Sequence, residues 1–319
     1  MESQASPADR LRTFLAECRR DGRCETIPAC HDALTAQLIS RAGFQCSFMS
    51  GFAVSASHLA APDAGLISYG EQVDVGRKIC EATHGKLLII GDGDTGFGSS
   101  ANVRRAIRGY ALAGFAGISI EDQTFPKRCS YALGLQVESR ERAIARVEAA
   151  VAARTEMRKE GLDLVIIGRT DCRNAAENGG LDEAIERCRA FARLGCEIVY
   201  AEGLQSRAEM QMLNAAMRDE GAPYTLLAQV DKAGASVMPA GDAAQEGYTL
   251  RLLGLTVLGA AMRGVMSALE TMRLGEHPEQ SSLVCYEEMC EEVGFPKLYE
   301  WEGRFGKRQA APSTARPEH

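Results

Sequence analysis

The chain reads as a single parallel (β/α)8 barrel, and three observations carry that reading. Short apolar runs alternate with segments of helical period from one end to the other, which calls for parallel strands joined by crossover helices. Eight such runs occur, the number that closes a barrel. Polar and acidic residues collect just after the runs and not before them, as they do where a barrel carries its site at the C-terminal strand ends. An open doubly wound sheet is the runner-up, sharing the alternation but not the count.

The elements follow in order. An opening helix over Pro7–Arg20, with Ser6 as its cap, precedes the first strand. Strands are expected at 25–29, 46–49, 87–90, 117–120, 164–167, 197–201, 224–228 and 249–255. The intervening helices are expected at 32–41, 71–83, 103–112, 140–159, 181–194, 207–218, a short 243–246, and 256–274. Gly114 and Gly195 stand where a helix must turn left-handed before the next strand. Ser139 is placed to cap the long fourth barrel helix. A further helical stretch is expected around 285–293. The segments are thus an N-terminal helical extension over 1–23, a barrel with C-terminal helices over 24–306, and a tail over 307–319 expected to be disordered, with Pro312 and Pro317.

The 319 residues are 45% hydrophobic and 25% charged, the balance of an ordinary soluble globular protein. There is no apolar 20-mer to span a membrane. A net charge of -7 argues against nucleic acid or an anionic membrane as partner, since both need a basic face. Eleven cysteines lie scattered without metal-ligand spacing, and the odd count with no apolar leader points to reduced thiols. A cytoplasmic location is expected. Arginines in the first 23 residues are diluted by Glu2, Asp9, Glu17 and Asp21, which weakens a transit-peptide reading while leaving an organelle open.

The third run ends in Gly91-Asp92-Gly93-Asp94-Thr95-Gly96. Alternation would put Asp92 and Asp94 on one face, where both can serve one divalent cation, and Glu121 and Asp122 close the neighbouring run. Oxygen ligands without a histidine pair favour Mg2+, with Mn2+ possible, over zinc. For Asp32 and Asp122 a helix cap or a salt bridge with arginine accounts equally well for the charge. The same glycines spell G-x-G-x-x-G, but two carboxylates inside the motif would repel a pyrophosphate, so a nucleotide is not expected. Arg169 and Asp171 follow the fifth run, Glu202 the sixth and Gln229 the seventh. The loop 122–138 is long for a βα connection and is a candidate lid with Gly134 as hinge. In it Lys127 and Arg128 stand beside Cys129, an arrangement expected to favour the thiolate and to attract an anionic substrate.

These residues resemble the isocitrate lyase and phosphoenolpyruvate mutase superfamily. The matching stretches are Ser50-Gly51-Phe52-Ala53-Val54-Ser55-Ala56-Ser57, the Gly91 to Gly98 segment, Ala116-Gly117-Ile118-Ser119-Ile120-Glu121-Asp122-Gln123, Pro126-Lys127-Arg128-Cys129 and Gly168-Arg169-Thr170-Asp171. Their order and spacing agree over about residues 27 to 274. The resemblance implies a helix-swapped homotetramer of α/β barrels, with Mg2+ and a 2-oxo acid at the strand ends. It implies that Asp92, Asp94 and Glu121 form the metal shell and that Ser50, Gly51 and Phe52 bind the oxo-acid carboxylate. Asp63 falls where relatives have a site aspartate, and Arg169 would grip the developing oxyanion. Lys127, Arg128, Glu202 and Gln229 complete the expected substrate contacts.

A lid cysteine sorts the lyases from the phosphonate mutases, so Cys129 favours carbon–carbon cleavage. The expected reaction is a retro-aldol split of a 2-hydroxy di- or tricarboxylate of the 2-methylisocitrate or 2,3-dimethylmalate type, with Cys129 protonating the leaving carbon. Two departures narrow this. Ser130-Tyr131 replace the Gly-His that usually follows the cysteine, and Gln229 stands where many relatives have asparagine. Oxaloacetate hydrolysis or decarboxylation, a phosphonate-type mutase or hydrolase, and a non-catalytic oxo-acid binder are the alternatives.

Overall fold

The computed structural model describes residues 5–132, 134–232 and 236–305. The tail expected to be disordered, 307–319, lies outside the described residues. Eight strands form a closed parallel barrel in sequence order: β1 (Glu25–Cys30), β2 (Cys46–Met49), β3 (Leu88–Asp92), β4 (Gly117–Ile120), β5 (Val165–Thr170), β6 (Ile198–Ala201), β7 (Tyr224–Gln229) and β8 (Leu250–Leu253). Closure comes from β1 pairing β8 in parallel, Glu25 opposite Leu250 and Ile27 opposite Leu252.

The period-two alternation of the strands builds two apolar layers. Ile27, Phe48, Ile90, Ile167, Tyr200 and Leu252 belong to the inner one, which also takes Leu11, Phe14 and Leu15 from the opening helix α1 (Pro7–Arg20). That helix is therefore part of the barrel core. Leu11 and Leu15 are fully buried, a contribution of about 1.5–3 kcal/mol each. Space at Gly117 is tight, since a Cβ there would meet the Val165 carbonyl at 3.2 Å and Leu11 of α1 at 3.3 Å. Ile89, Ile118, Ile166 and Val199 point outward and pack on the surrounding helices through Ile107, Val147, Phe191 and Leu213.

The helices are α2 (Ala33–Arg41), α3 (Gly51–Leu59), α4 (Tyr69–Ala82), α5 (Ser100–Leu112), α6 (Arg140–Arg158), α7 (Leu181–Leu194), α8 (Arg207–Asp219), α9 (Ala240–Gln245) and α10 (Thr256–Arg273), then α11 (Tyr286–Val293) and α12 (Phe295–Phe305). Asp32 caps α2, accepting from the Thr35 amide at 2.7 Å, and Ser139 caps α6. Sequence reading missed α3 and α12. The first lacks a clear apolar stripe, and its start was read as loop; Ser50 Oγ caps it by accepting from the Ala53 amide at 3.2 Å.

Two compact units divide the chain, residues 1–261 and 262–319. Within the second, the Phe295 and Tyr299 rings lie 5.7 Å apart and the Trp301 and Phe305 rings 5.0 Å. Much of that unit's apolar surface is exposed, including Met266, Leu269, Trp301 and Phe305. No helix among the described residues is long and apolar enough to cross a membrane.

Candidate active site

The acidic residues predicted at the strand ends do converge, though not by simple alternation. β3 runs on to Asp92, which pairs with Ser119 across the sheet, and Asp94 turns away from strand geometry at φ 47°. The two carboxylates meet because the Asp94 amide donates to Asp92 Oδ1 at 3.3 Å. Asp92 Oδ2 accepts from the Gly51 amide at 3.3 Å, at the start of α3. A Cβ on Gly51 would stand 3.0 Å from Asp92 Oδ2 and 3.2 Å from Asp94 Oδ1, so any side chain here presses on the pair and must displace it by a few tenths of an ångström. The other motif glycines have packing reasons: a Cβ on Gly91 would lie 2.5 Å from Tyr110, and one on Gly93 2.6 Å from the Ser119 carbonyl.

Lys127 does not face outward toward an incoming substrate. Its ammonium is buried between Asp63, at 2.8 Å, and Asp94. Burial opposes the charge, yet Asp94, Glu121 and Asp63 together hold Lys127 protonated well above the ordinary lysine range. Burial pushes the Asp94 carboxyl up to about 6 despite that partner. Glu121 is fully buried, and neither carboxylate oxygen has a hydrogen-bond partner. Burial raises its carboxyl well above the usual range, against the pull of the Arg169 Nη1 that stands 3.3 Å away.

Arg169 is the hub of the opposite wall. Its Nε donates to Asp171 at 3.1 Å, its Nη2 donates to Ser130 Oγ at 2.7 Å, and Nη1 lies 3.7 Å from Asp92. Four carboxylates, Asp63, Asp92, Asp94 and Glu121, are thus met by two cations, one of them shared with Asp171. The surplus is negative, and the orphaned Glu121 oxygens and the Gly51 cradle form an oxygen-donor site that a divalent cation fits. Among the described residues no three His, Cys, Asp or Glu side chains close on one point. Mg2+ keeps several waters and needs only one or two carboxylates directly, so the open arrangement suits it.

Cys129 lines the same cavity as Ser50, Phe52, Asp63, Asp92 and Arg169. Its expected thiolate character is not found. Burial pushes the thiol up from its ordinary value and outweighs the pull of Arg169 and Lys127, while Arg128 is exposed and gives its backbone amide to Gln123 at 2.9 Å. A protonated Cys129 is the form that can give a proton. Arg128 is not among the residues lining the cavity. Asp122 serves the bland role allowed for it: it is buried against Arg187 at 2.8 Å.

Glu202 and Gln229 both reach the cavity. The Glu202 carboxylate accepts the Tyr131 phenol O–H, and Gln229 spans the Met238 backbone, Nε2 donating at 3.2 Å and Oε1 accepting at 2.9 Å. Sequence reading assigned no contact to Ser130, Tyr131 or Tyr200, all of which border the cavity. The first two were flagged only as departures from a pattern. All eleven cysteines are free.

With this geometry in view, comparisons with known proteins agree with the fold and the motifs. The family model for phosphoenolpyruvate phosphomutase matches residues 14–273. The 2,3-dimethylmalate lyase of Eubacterium barkeri is 31% identical over 280 residues, 87% of this chain and 92% of that protein. A solved structure of oxaloacetate acetylhydrolase in complex with 3,3-difluorooxalacetate superposes with a TM-score of 0.86 at 26% identity, covering 96% of this chain and 99% of the other. One of phosphonopyruvate hydrolase, in complex with oxalate and Mg2+, gives 0.80 at 28% identity, covering 95% and 100%. The closed barrel, the strand-end carboxylates and these likenesses together show that the chain belongs to the isocitrate lyase and phosphoenolpyruvate mutase superfamily, as an enzyme of its carbon–carbon lyase type.

Proposed function

We propose that this enzyme is a Mg2+-dependent lyase that splits a 2-hydroxy dicarboxylate or tricarboxylate, of the 2,3-dimethylmalate or 2-methylisocitrate type, into a 2-oxo acid and a second carboxylate. The observation that carries it is one cavity bordered by Asp92, Arg169 and Cys129 beside a buried, unpartnered Glu121. Asp92, Asp94 and Glu121 would hold the ion, directly or through water; when bound it stabilises negative charge on the oxo-acid oxygens. Mn2+ would serve in its place. The complex of a relative with oxalate and Mg2+ supports the same pairing of ion and oxo-acid mimic.

The side chains then divide the work. Ser50 and Phe52 border the cavity at the start of α3, with Gly51 between them giving its amide to Asp92, and the positive end of that helix favours the oxo-acid carboxylate there. Burial favours the protonated form of Glu121, so it would take the hydroxyl proton only with a cation bound beside it to keep its carboxylate ionised. The carbon–carbon bond breaks, the electron pair passes to the leaving carbon as an enediolate, and the Cys129 thiol returns a proton to that carbon. Arg169 Nη1 faces the oxygens on which charge grows.

Release of pyruvate, glyoxylate or oxalate from 2-methylisocitrate, 2,3-dimethylmalate, isocitrate and oxaloacetate tests this, with Mg2+ or EDTA, on wild type and Cys129→Ser. Cleavage of a hydroxy acid that needs both metal and thiol is the expected outcome. Turnover of oxaloacetate alone, indifferent to Cys129, would assign the chain to the hydrolase or decarboxylase branch instead. The exposed apolar side chains of the second unit support a homotetramer with exchanged C-terminal helices, which light scattering on the intact chain checks.

A further inference from the structure

The barrel mouth holds two cavities that share a wall. The inner one, about 70 Å³, is the site described above; the outer, about 670 Å³, is bordered by Asn174, Gln205 and Lys232. Ser130, Tyr131, Ala228, Gln229 and Val230 border both, and Tyr131 is the largest side chain among them. It is held from two sides. Its phenol O–H donates to the Glu202 carboxylate, and the Lys232 ammonium stands over the ring, 3.8 Å from the centroid.

We propose that Tyr131, pinned by Glu202 and Lys232, is the residue that sets substrate length, closing the inner cavity to a third carboxylate and restricting the enzyme to dicarboxylates. The inference rests on the lyase reading above and narrows it. 2,3-Dimethylmalate and 2-methylisocitrate form a minimal pair, differing by one carboxylate on the methyl of the leaving half. In the inner cavity that extra group finds no free cation. Arg169 is the only cationic side chain among the described residues that line it, and it already faces Glu121, Asp92 and Asp171. The group would instead meet the phenol ring and the buried Glu202 carboxylate that borders the same cavity, a steric and a like-charge obstacle together. Donors that suit a distal carboxylate, Asn174, Gln205 and Lys232, lie on the far side of the ring.

The test compares kcat/KM for the two acids, with Mg2+, in wild type, Tyr131→Ala, Tyr131→Leu and Tyr131→Phe. Removing a steric barrier of this size is expected to raise the long-to-short ratio at least about tenfold in the Ala and Leu variants. The Phe variant keeps the ring and should hold the ratio within about threefold of wild type. An unchanged ratio in both shortened variants, or a wild type that cleaves 2-methylisocitrate as well as 2,3-dimethylmalate, overturns the gate. If neither acid is cleaved by any of the proteins, the lyase reading fails, and calorimetry with butanedioate and propane-1,2,3-tricarboxylate judges the gate separately. Wild type binding only the former, with the shortened variants binding both, sustains it. Wild type binding both equally, or shortened variants binding no tricarboxylate, overturns it.

Discussion

Substituting Gly51 by alanine should damage the ion site while leaving the fold intact, and the structure fixes the size of the insult. The new methyl would lie 3.0 Å from Asp92 Oδ2, 3.2 Å from Asp94 Oδ1 and 3.4 Å from Asp92 Cγ. Relief needs a displacement of a few tenths of an ångström, and neither carboxylate is free to give it. Asp92 Oδ1 is tied to the Asp94 amide at 3.3 Å and to Ser119 Oγ at 3.4 Å, while Asp94 is tied to Lys127. Mg2+ demands near-ideal octahedral geometry at roughly 2.0–2.1 Å, so shifts of that order fall on its binding. Disturbing the groups around a metal's ligands costs typically about 10–100-fold in affinity, and that range is expected here. Stability should move little, since alanine favours a helix over glycine by up to about 1 kcal/mol, which offsets the local crowding at the first position of α3. Titration calorimetry with Mg2+ or Mn2+, beside thermal unfolding of the metal-free protein, measures the two effects separately. Metal affinity within twofold of wild type would refute the placement of the ion beside Gly51.

Other outcomes follow from the same geometry. Because burial raises the Cys129 thiol, iodoacetamide should alkylate it more slowly in the folded enzyme than in an unfolded chain at the same mildly alkaline pH; faster modification would restore the thiolate reading. Burial holds Asp94 at about 6, above its ordinary 3.8, so the folded state binds more protons within that window and the metal-free protein loses stability from this group as pH rises through it. Metal binding needs the ionised carboxylate, so Mg2+ affinity should fall as pH drops below about 6, and calorimetry finding it flat across that range would contradict the assignment. Arg187→Ala strands the buried Asp122 and also removes donors to the Glu138 and Asn178 carbonyls; urea unfolding should register a loss of about 3–5 kcal/mol, and a loss under about 1 kcal/mol would deny the pair its structural role.

Barrel topology was legible because each strand carries its own short apolar run and glycine or a capping serine or aspartate marks several of the boundaries. The strand-end carboxylates were legible too, since charge at the end of a buried run is costly unless something binds it. Their mutual geometry was not. Asp94 takes a left-handed conformation that period-two reasoning does not anticipate, and α3 delivers the Gly51 amide from a segment read as loop. Lys127 and Arg128 show the sharpest gap between spacing and structure: adjacent basic residues, one buried between two aspartates, the other exposed. Adjacency in sequence suggested that both would act on Cys129, whereas tertiary packing assigned the nearer charge to Asp63 and Asp94. The Tyr131–Glu202 contact spans 71 residues, and nothing in either residue's local sequence announces the other.

Proton flow at the bond being broken tests the central claim most directly. The enzyme would be given 2,3-dimethylmalate, and in a parallel sample oxaloacetate, with Mg2+ in D2O and the products followed by NMR. Retro-aldol cleavage with proton return from an exchangeable thiol predicts pyruvate together with propionate carrying one deuteron at C2, with both signals lost on adding EDTA and in Cys129→Ser. Intact dimethylmalate beside oxaloacetate converted to oxalate and acetate, or cleavage that persists without metal, would contradict it.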